Sequence, residues 1–249
     1  MNISKVKLIL NTKRILVFQH LAIEHPGIFR NFFKEDSYKV TTIELDEGES
    51  IPNLSSFDAL WVMGGPMDVW QEERYPWLVE EKVAIRKAVN ELKMPYVGIC
   101  LGHQLLAAAL GGEVGLGEET EVGIMQIHKT DVGKQSPFLN NLPDTMNCLQ
   151  WHGAEVKTAP AGMDVLVSSE LCSIQSLSLG TQVFTTQYHQ EIIPSTVSDW
   201  SDIPAYKRAL EKALGENAAE KLEKEALVYM AEFNITARQL YENWKSVTF

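Results

Sequence analysis

Cys100, His189 and Glu191 are the residues whose types and setting could break a carbonyl bond. Cys100 stands in Tyr96-Val97-Gly98-Ile99-Cys100-Leu101-Gly102-His103-Gln104, where an apolar run gives way to a helical pattern. Glycines at 98 and 102 flank it, as a sharp strand-turn-helix elbow requires, because side chains would clash with the tight backbone. A thiol at that corner sits near a helix N-terminus, whose exposed N–H groups favour the reactive thiolate. His189 and Glu191 lie two residues apart at the end of the strand-like run Val183 to Tyr188. In extended chain they share one face and Gln190 turns away. A carboxylate beside an imidazole fixes its tautomer and stabilises the imidazolium, the orienter's part in a nucleophile-base-orienter triad. Met63-Gly64-Gly65-Pro66 offers flexible backbone N–H groups after another apolar run, and Leu101 offers the N–H just past the thiol. Such donors stabilise the oxyanion formed when a thiolate attacks a carbonyl, each by roughly 3 kcal/mol.

The elements that must position these groups read as alternating strands and helices up to about residue 110. Arg14–Phe18, Lys39–Leu45, Ala59–Met63 and Tyr96–Ile99 are expected strands. His25–Phe33, Trp77–Leu92 and Leu105–Leu110 are expected helices. This alternation is the signature of a parallel sheet wound by right-handed crossovers, whose neighbouring carboxyl ends share a crevice. From Glu113 to Gln187 the pieces turn short and β-like: Val122–His128, Thr145–Leu149, Val165–Ser168 and Val183–Gln187. Helical spacing returns in Ala205–Leu214, Ala218–Phe233 and Ala237–Val247. The expected architecture is a doubly wound α/β fold around a largely parallel sheet, with extra short strands and a helical C-terminal segment. One domain over 1–249 is expected, with a catalytic core of about 14–191 and a helical segment of about 194–249.

Composition narrows the class. A 45% apolar share with 22% charged residues is ordinary for a globular chain with a large core. The net charge of −11 argues against non-specific binding to nucleic acid or anionic membranes. Three widely spaced cysteines (Cys100, Cys148, Cys172) without a CxxC pair predict neither a disulfide framework nor a zinc site. No metal or cofactor is expected. Lys5, Lys7, Lys13 and Arg14 near the N-terminus accompany an apolar piece, Leu8–Leu10, too short for a secretory signal. A cytoplasmic protein is the expectation.

The three motifs Met63-Gly64-Gly65-Pro66, Gly98-Ile99-Cys100-Leu101-Gly102-His103-Gln104 and Gln187-Tyr188-His189-Gln190-Glu191 resemble those of triad-type class I glutamine amidotransferases. The flavour is closest to stand-alone GMP-synthase-like domains, and the likeness runs from about Arg14 to Glu191. It implies that Cys100 is the nucleophile, His189 the general base and acid, and Glu191 its orienter. It also implies an oxyanion hole from the N–H groups of Gly65 and Leu101, and a hold on the glutamine substrate from Gln104. Two departures stand out: Gln190 replaces the proline usual between the histidine and the glutamate, and Ala154 follows Trp151-His152-Gly153 where relatives often carry an aspartate. His103 is read as a helix N-terminal residue pointing elsewhere, and His152 as packing or rim. Asp68 and Trp70 are candidates for the substrate mouth. The acidic run Glu118–Glu121 is read as a solvated loop whose end near Gly123 borders the pocket.

Three functions compete on this reading. The first is a glutaminase supplying ammonia to a separate synthetase partner, since neither a GxxxxGK[ST] loop nor a Ser-Gly-Gly-x-Asp-Ser loop is present. The second is a stand-alone γ-glutamyl peptide hydrolase using the same triad, with water as the final acceptor. The third is a non-catalytic relative, against which the intact trio argues.

Overall fold

Alternate residues of the first strand serve two different cores, which is what makes this sheet two-sided. The computed structural model describes residues 12–249; Lys5, Lys7 and the Leu8–Leu10 piece lie outside the described residues. In β1 (Arg14–Gln19), Ile15 and Val17 join one cluster while Leu16 and Phe18 join the other. The same division holds in β3 (Ala59–Val62) and β4 (Tyr96–Ile99), so these strands read as unbroken apolar runs. On the first face pack α1 (Phe29–Glu35) and the long α6 (Ala218–Thr248). On the second face pack α2 (Trp77–Arg86), prolonged to Glu91 by a π-helical turn, and α3 (Leu101–Ala109).

The described residues build a mixed sheet of nine strands in the order β2-β1-β3-β4-β9-β8-β7-β5-β6. Here β2 is Lys39–Glu44, β5 Glu113–Lys129, β6 Thr145–Thr158, β7 Asp164–Ser168, β8 Ser176–Leu179 and β9 Val183–Thr186. The five strands β2, β1, β3, β4 and β9 are parallel, and the rest pair antiparallel. The expected doubly wound α/β fold is therefore present, with its antiparallel part longer than expected. β5 and β6 form one long ribbon where only two short pieces were expected, and β8 had no counterpart in the reading.

Three corrections concern the helices. α3 begins at Leu101, directly after the cysteine, and not at Leu105. The C-terminal stretch from 218 on is one helix, not two; Asn234, Ile235 and Thr236 are weak helix formers held in place by buried neighbours Phe233, Thr236 and Ala237. A short α4 (Thr196–Ser201) precedes α5 (Pro204–Leu214), and both pack on the carboxyl end of the sheet beside β5 and β6.

Candidate active site

The elbow after β4 is a tight backbone corner. Cys100 has φ 51° and ψ −104°, a left-handed region that costs a non-glycine residue roughly 1–3 kcal/mol. The corner is strapped from both sides: Cys100 N–H donates to Thr186 O of β9 at 2.7 Å, and Gly102 N–H to Met63 O past β3 at 3.1 Å. A Cβ at Gly102 would stand 2.1 Å from Val62 O, and one at Gly98 would stand 2.6 Å from Gly102 O. Glycine is demanded at both positions by close backbone approach.

β9 lies beside β4 in register, with Ile99 opposite Thr186, so the chain leaving β9 passes the elbow. His189 N–H donates to Leu149 O at 2.9 Å, which pins that segment to β6. His189 Nδ1 lies 2.6 Å from Glu191 Oε1, and both side chains are buried. Gln190 turns away as expected, and its Nε2 donates to Asn147 O at 3.0 Å, an anchor in place of the family's proline. The His189 pKa lies well above its ordinary value. Burial acts to lower it, but the Glu191 carboxylate and the Cys100 thiolate outweigh that effect. The Trp200 ring of α4 meets His189 edge-on, with centroids 4.7 Å apart.

A cavity of about 130 Å³ opens onto Cys100 and is lined also by Gly65, Asp68, Gln104, His152 and Tyr206. α5 roofs it with Ala205, Tyr206 and Ala209. Gly65 and Leu101 adjoin here, since a Cβ on Gly65 would lie 2.9 Å from Leu101 Cδ2. Gln104 is buried, and its Nε2 donates to Ala154 O at 2.9 Å and to Gln187 Oε1 at 3.0 Å. Gln187 Nε2 in turn reaches Cys100 Sγ at 3.6 Å, so a chain of amides ends on the thiol.

Several expectations change at this point. His103 is buried with Nδ1 2.7 Å from Thr185 Oγ1, and burial with repulsion from His152 lowers its pKa to about 3. It is neutral at working pH and directed away from the thiol. The solvated-loop reading of Glu118–Glu121 fails at Glu121, which lies in β5 and is buried. Its Oε2 lies 3.0 Å from His152 Nε2, and it accepts from Ser169 Oγ and Gln175 Nε2, each at 2.7 Å. Burial raises its pKa, but these partners more than offset that and leave it below the ordinary value. Gly123 does not line the cavity; its Cβ position lies 3.9 Å from Leu214 Cδ1. Asp68 lines the cavity, whereas Trp70 is exposed.

Sequence reasoning missed the loop after β1. His20 and Glu24 are both buried there. Glu24 Oε1 accepts from the Tyr206 hydroxyl of the roof helix, and its Oε2 stands 2.7 Å from where a Gly64 Cβ would be. Burial pushes the Glu24 carboxyl up to about 7, against opposing pulls from His189 and Tyr206. The available signal was two ionisable residues just beyond the carboxyl end of a buried strand. Among the described residues no group of three or more His, Cys, Asp or Glu side chains could hold a metal, and no helix is long and apolar enough to cross a membrane.

A doubly wound α/β fold with a cysteine elbow at the carboxyl end of its parallel strands defines the architectural class of this chain. The sequence profile of the class-I glutamine amidotransferases matches residues 28–199, and the chain belongs to that family. It is 36% identical over 118 residues to the amidotransferase-side GMP synthase (glutamine-hydrolysing) polypeptide of Methanocaldococcus jannaschii, spanning 47% of this chain and 61% of that relative. The corresponding Sulfolobus acidocaldarius polypeptide is 30% identical over 151 residues, 60% of this chain and 76% of the relative. The crystal structure of a Thermotoga maritima glutamine amidotransferase superposes with a TM-score of 0.82 at 28% identity, covering 93% of this chain and 97% of that one. A glutamine amidotransferase from Methylobacillus flagellatus gives a TM-score of 0.84 at 27% identity, covering 96% of both chains.

Proposed function

We propose that this chain is a glutaminase that releases ammonia from the side-chain amide of glutamine through a γ-glutamyl thioester on Cys100. The observation that carries the reading is the buried His189–Glu191 pair, at 2.6 Å, on the segment leaving β9 directly beside the elbow of β4. The Cys100 thiolate attacks the amide carbon, and the Gly65 and Leu101 N–H groups take the developing oxyanion. As the tetrahedral adduct collapses, the His189 imidazolium gives its proton to the leaving nitrogen and ammonia departs. His189, now neutral, draws a proton from water, which attacks the thioester; glutamate leaves and the thiolate returns. Glu191 holds the imidazole through Nδ1 and stabilises its charged form. The high pKa of His189 favours the thiolate–imidazolium pair as the resting state. We further propose that the ammonia passes to a separate synthetase; the relatives named as subunits of a GMP synthase support this.

The roofed cavity of about 130 Å³ favours compact glutamine over a γ-glutamyl peptide. Ammonia and glutamate release is measured with glutamine and with γ-glutamyl dipeptides, for the wild type and Cys100→Ser. A glutamine-analogue chloroketone is added in parallel and adducts are located by peptide mass spectrometry. The reading expects an adduct at Cys100, and a loss of at least about 10³-fold in turnover for Cys100→Ser. Undiminished turnover in that variant, or no adduct at Cys100, refutes it. Faster cleavage of dipeptides transfers the reading to a peptide hydrolase.

A further inference from the structure

A second histidine–carboxylate pair lies against the glycine loop, and the mechanism so far does not use it. His20, fully buried in the loop after β1, places Nδ1 2.7 Å from Gly64 O and Nε2 3.0 Å from Glu81 Oε1 of α2. The Trp77 ring stacks on the imidazole, with centroids 5.4 Å apart and planes 14° apart. A carbonyl oxygen only accepts, so the proton in the 2.7 Å contact belongs to Nδ1. The Gly64 carbonyl and the Gly65 N–H belong to one peptide unit, which is planar and trans. The N–H of such a unit points away from its C=O. Between two glycines this unit could rotate at little cost, because neither residue has a Cβ to restrict it.

We infer that His20, backed by Glu81, is a positioning residue that anchors the Gly64 carbonyl and thereby holds the Gly65 N–H toward the Cys100 cavity, so that the oxyanion hole is preformed. Gly65 lines that cavity with Cys100, and a Cβ at Gly64 would lie 3.6 Å from Cys100 Cβ. Glu24 Oε2 fills the space on the other side of Gly64, so the loop after β1 holds this peptide at two points. Burial works to lower the His20 pKa; the attraction of Glu81 and the contact with Gly64 O outweigh it, which keeps the anchoring proton in place. The inference rests on the proposed reaction, in which the Gly65 N–H serves the oxyanion.

Two measurements test it. Nitrogen-15 NMR of histidine-labelled wild-type protein is expected to show Nδ1 of His20 with a bonded, exchange-protected proton; an unprotonated Nδ1 overturns the anchor whether or not glutamine is hydrolysed. In kinetics, His20→Phe is expected to lower kcat roughly 10- to 100-fold with KM changed less than about threefold, part of the effect of losing one oxyanion donor. His20→Asn, whose amide N–H stands near the Nδ1 position, recovers most of that loss. Alkylation of Cys100 by iodoacetamide, a displacement that forms no oxyanion, keeps its wild-type rate in both variants. Wild-type kcat in His20→Phe, an equal loss in His20→Asn, or slowed alkylation overturns the inference. Should His20→Phe fail to fold, Glu81→Leu takes its place with the same expected pattern. A wild type inactive on glutamine sinks the glutaminase reading, and the NMR result then still decides the anchor.

Discussion

Glu24→Gln isolates a buried carboxyl that the fold holds at a cost. Its folded pKa is about 7 against an ordinary value of 4.5, because burial disfavours the carboxylate. Below pH 4.5 the group is protonated both folded and unfolded, and it contributes nothing to the pH dependence. Between 4.5 and 7 the unfolded chain releases the proton while the folded chain keeps it, so stability falls as pH rises. Above 7 both states are ionised and the loss is complete. At about 1.4 kcal/mol for each pH unit, the full loss is about 3 kcal/mol. Glutamine cannot ionise, and its carbonyl still accepts from the Tyr206 hydroxyl. Charged or titratable groups facing Glu24 are His20, His189, Glu191 and Tyr206, and they are common to both proteins. Urea unfolding of both, followed by tryptophan fluorescence at pH 4.5, 5.5, 6.5 and 7.5, gives the difference directly. The expected result is a variant that gains about 3 kcal/mol on the wild type between the lowest and highest pH. Stability curves that run parallel would overturn this account of Glu24.

Gly102→Ala should destabilise the fold by more than about 2 kcal/mol and abolish Cys100 alkylation by the chloroketone, because the new Cβ meets Val62 O at 2.1 Å. Gly115→Ala, where the nearest atom would be 3.7 Å away, should stay within about 0.5 kcal/mol of wild type in the same denaturation assay. A chain truncated after Pro194 should show no cooperative unfolding by calorimetry. It loses Phe233, Leu240, Tyr241 and Trp244 from the core, each contributing roughly 2 kcal/mol, which approaches the whole stability of a typical domain. The part from 194 onward is thus proposed to belong to the same folding unit as the catalytic core.

Cys100, its flanking glycines and the His189–Glu191 spacing were legible because each depends on a few adjacent residues. Strand-to-helix change, glycine at a crowded corner and the two-residue period of extended chain are local rules. The parallel part of the sheet was legible for the same reason, since strands buried on both faces are continuous apolar runs. Gln187, Glu121, His20 and Glu24 were not, because each takes its meaning from a partner far along the chain. Glu121 looks solvated until β6, Ser169 and Gln175 surround it and make burial tolerable. Tyr206 and Trp200 look like ordinary residues of an amphipathic tail until α4 and α5 fold back over the cavity. The residue types able to do chemistry, and the elbow that exposes one of them, follow from local sequence. Their convergence is a product of tertiary folding, because hydrogen bonding of β9 beside β4 brings Thr186 to Ile99 across 87 positions of chain.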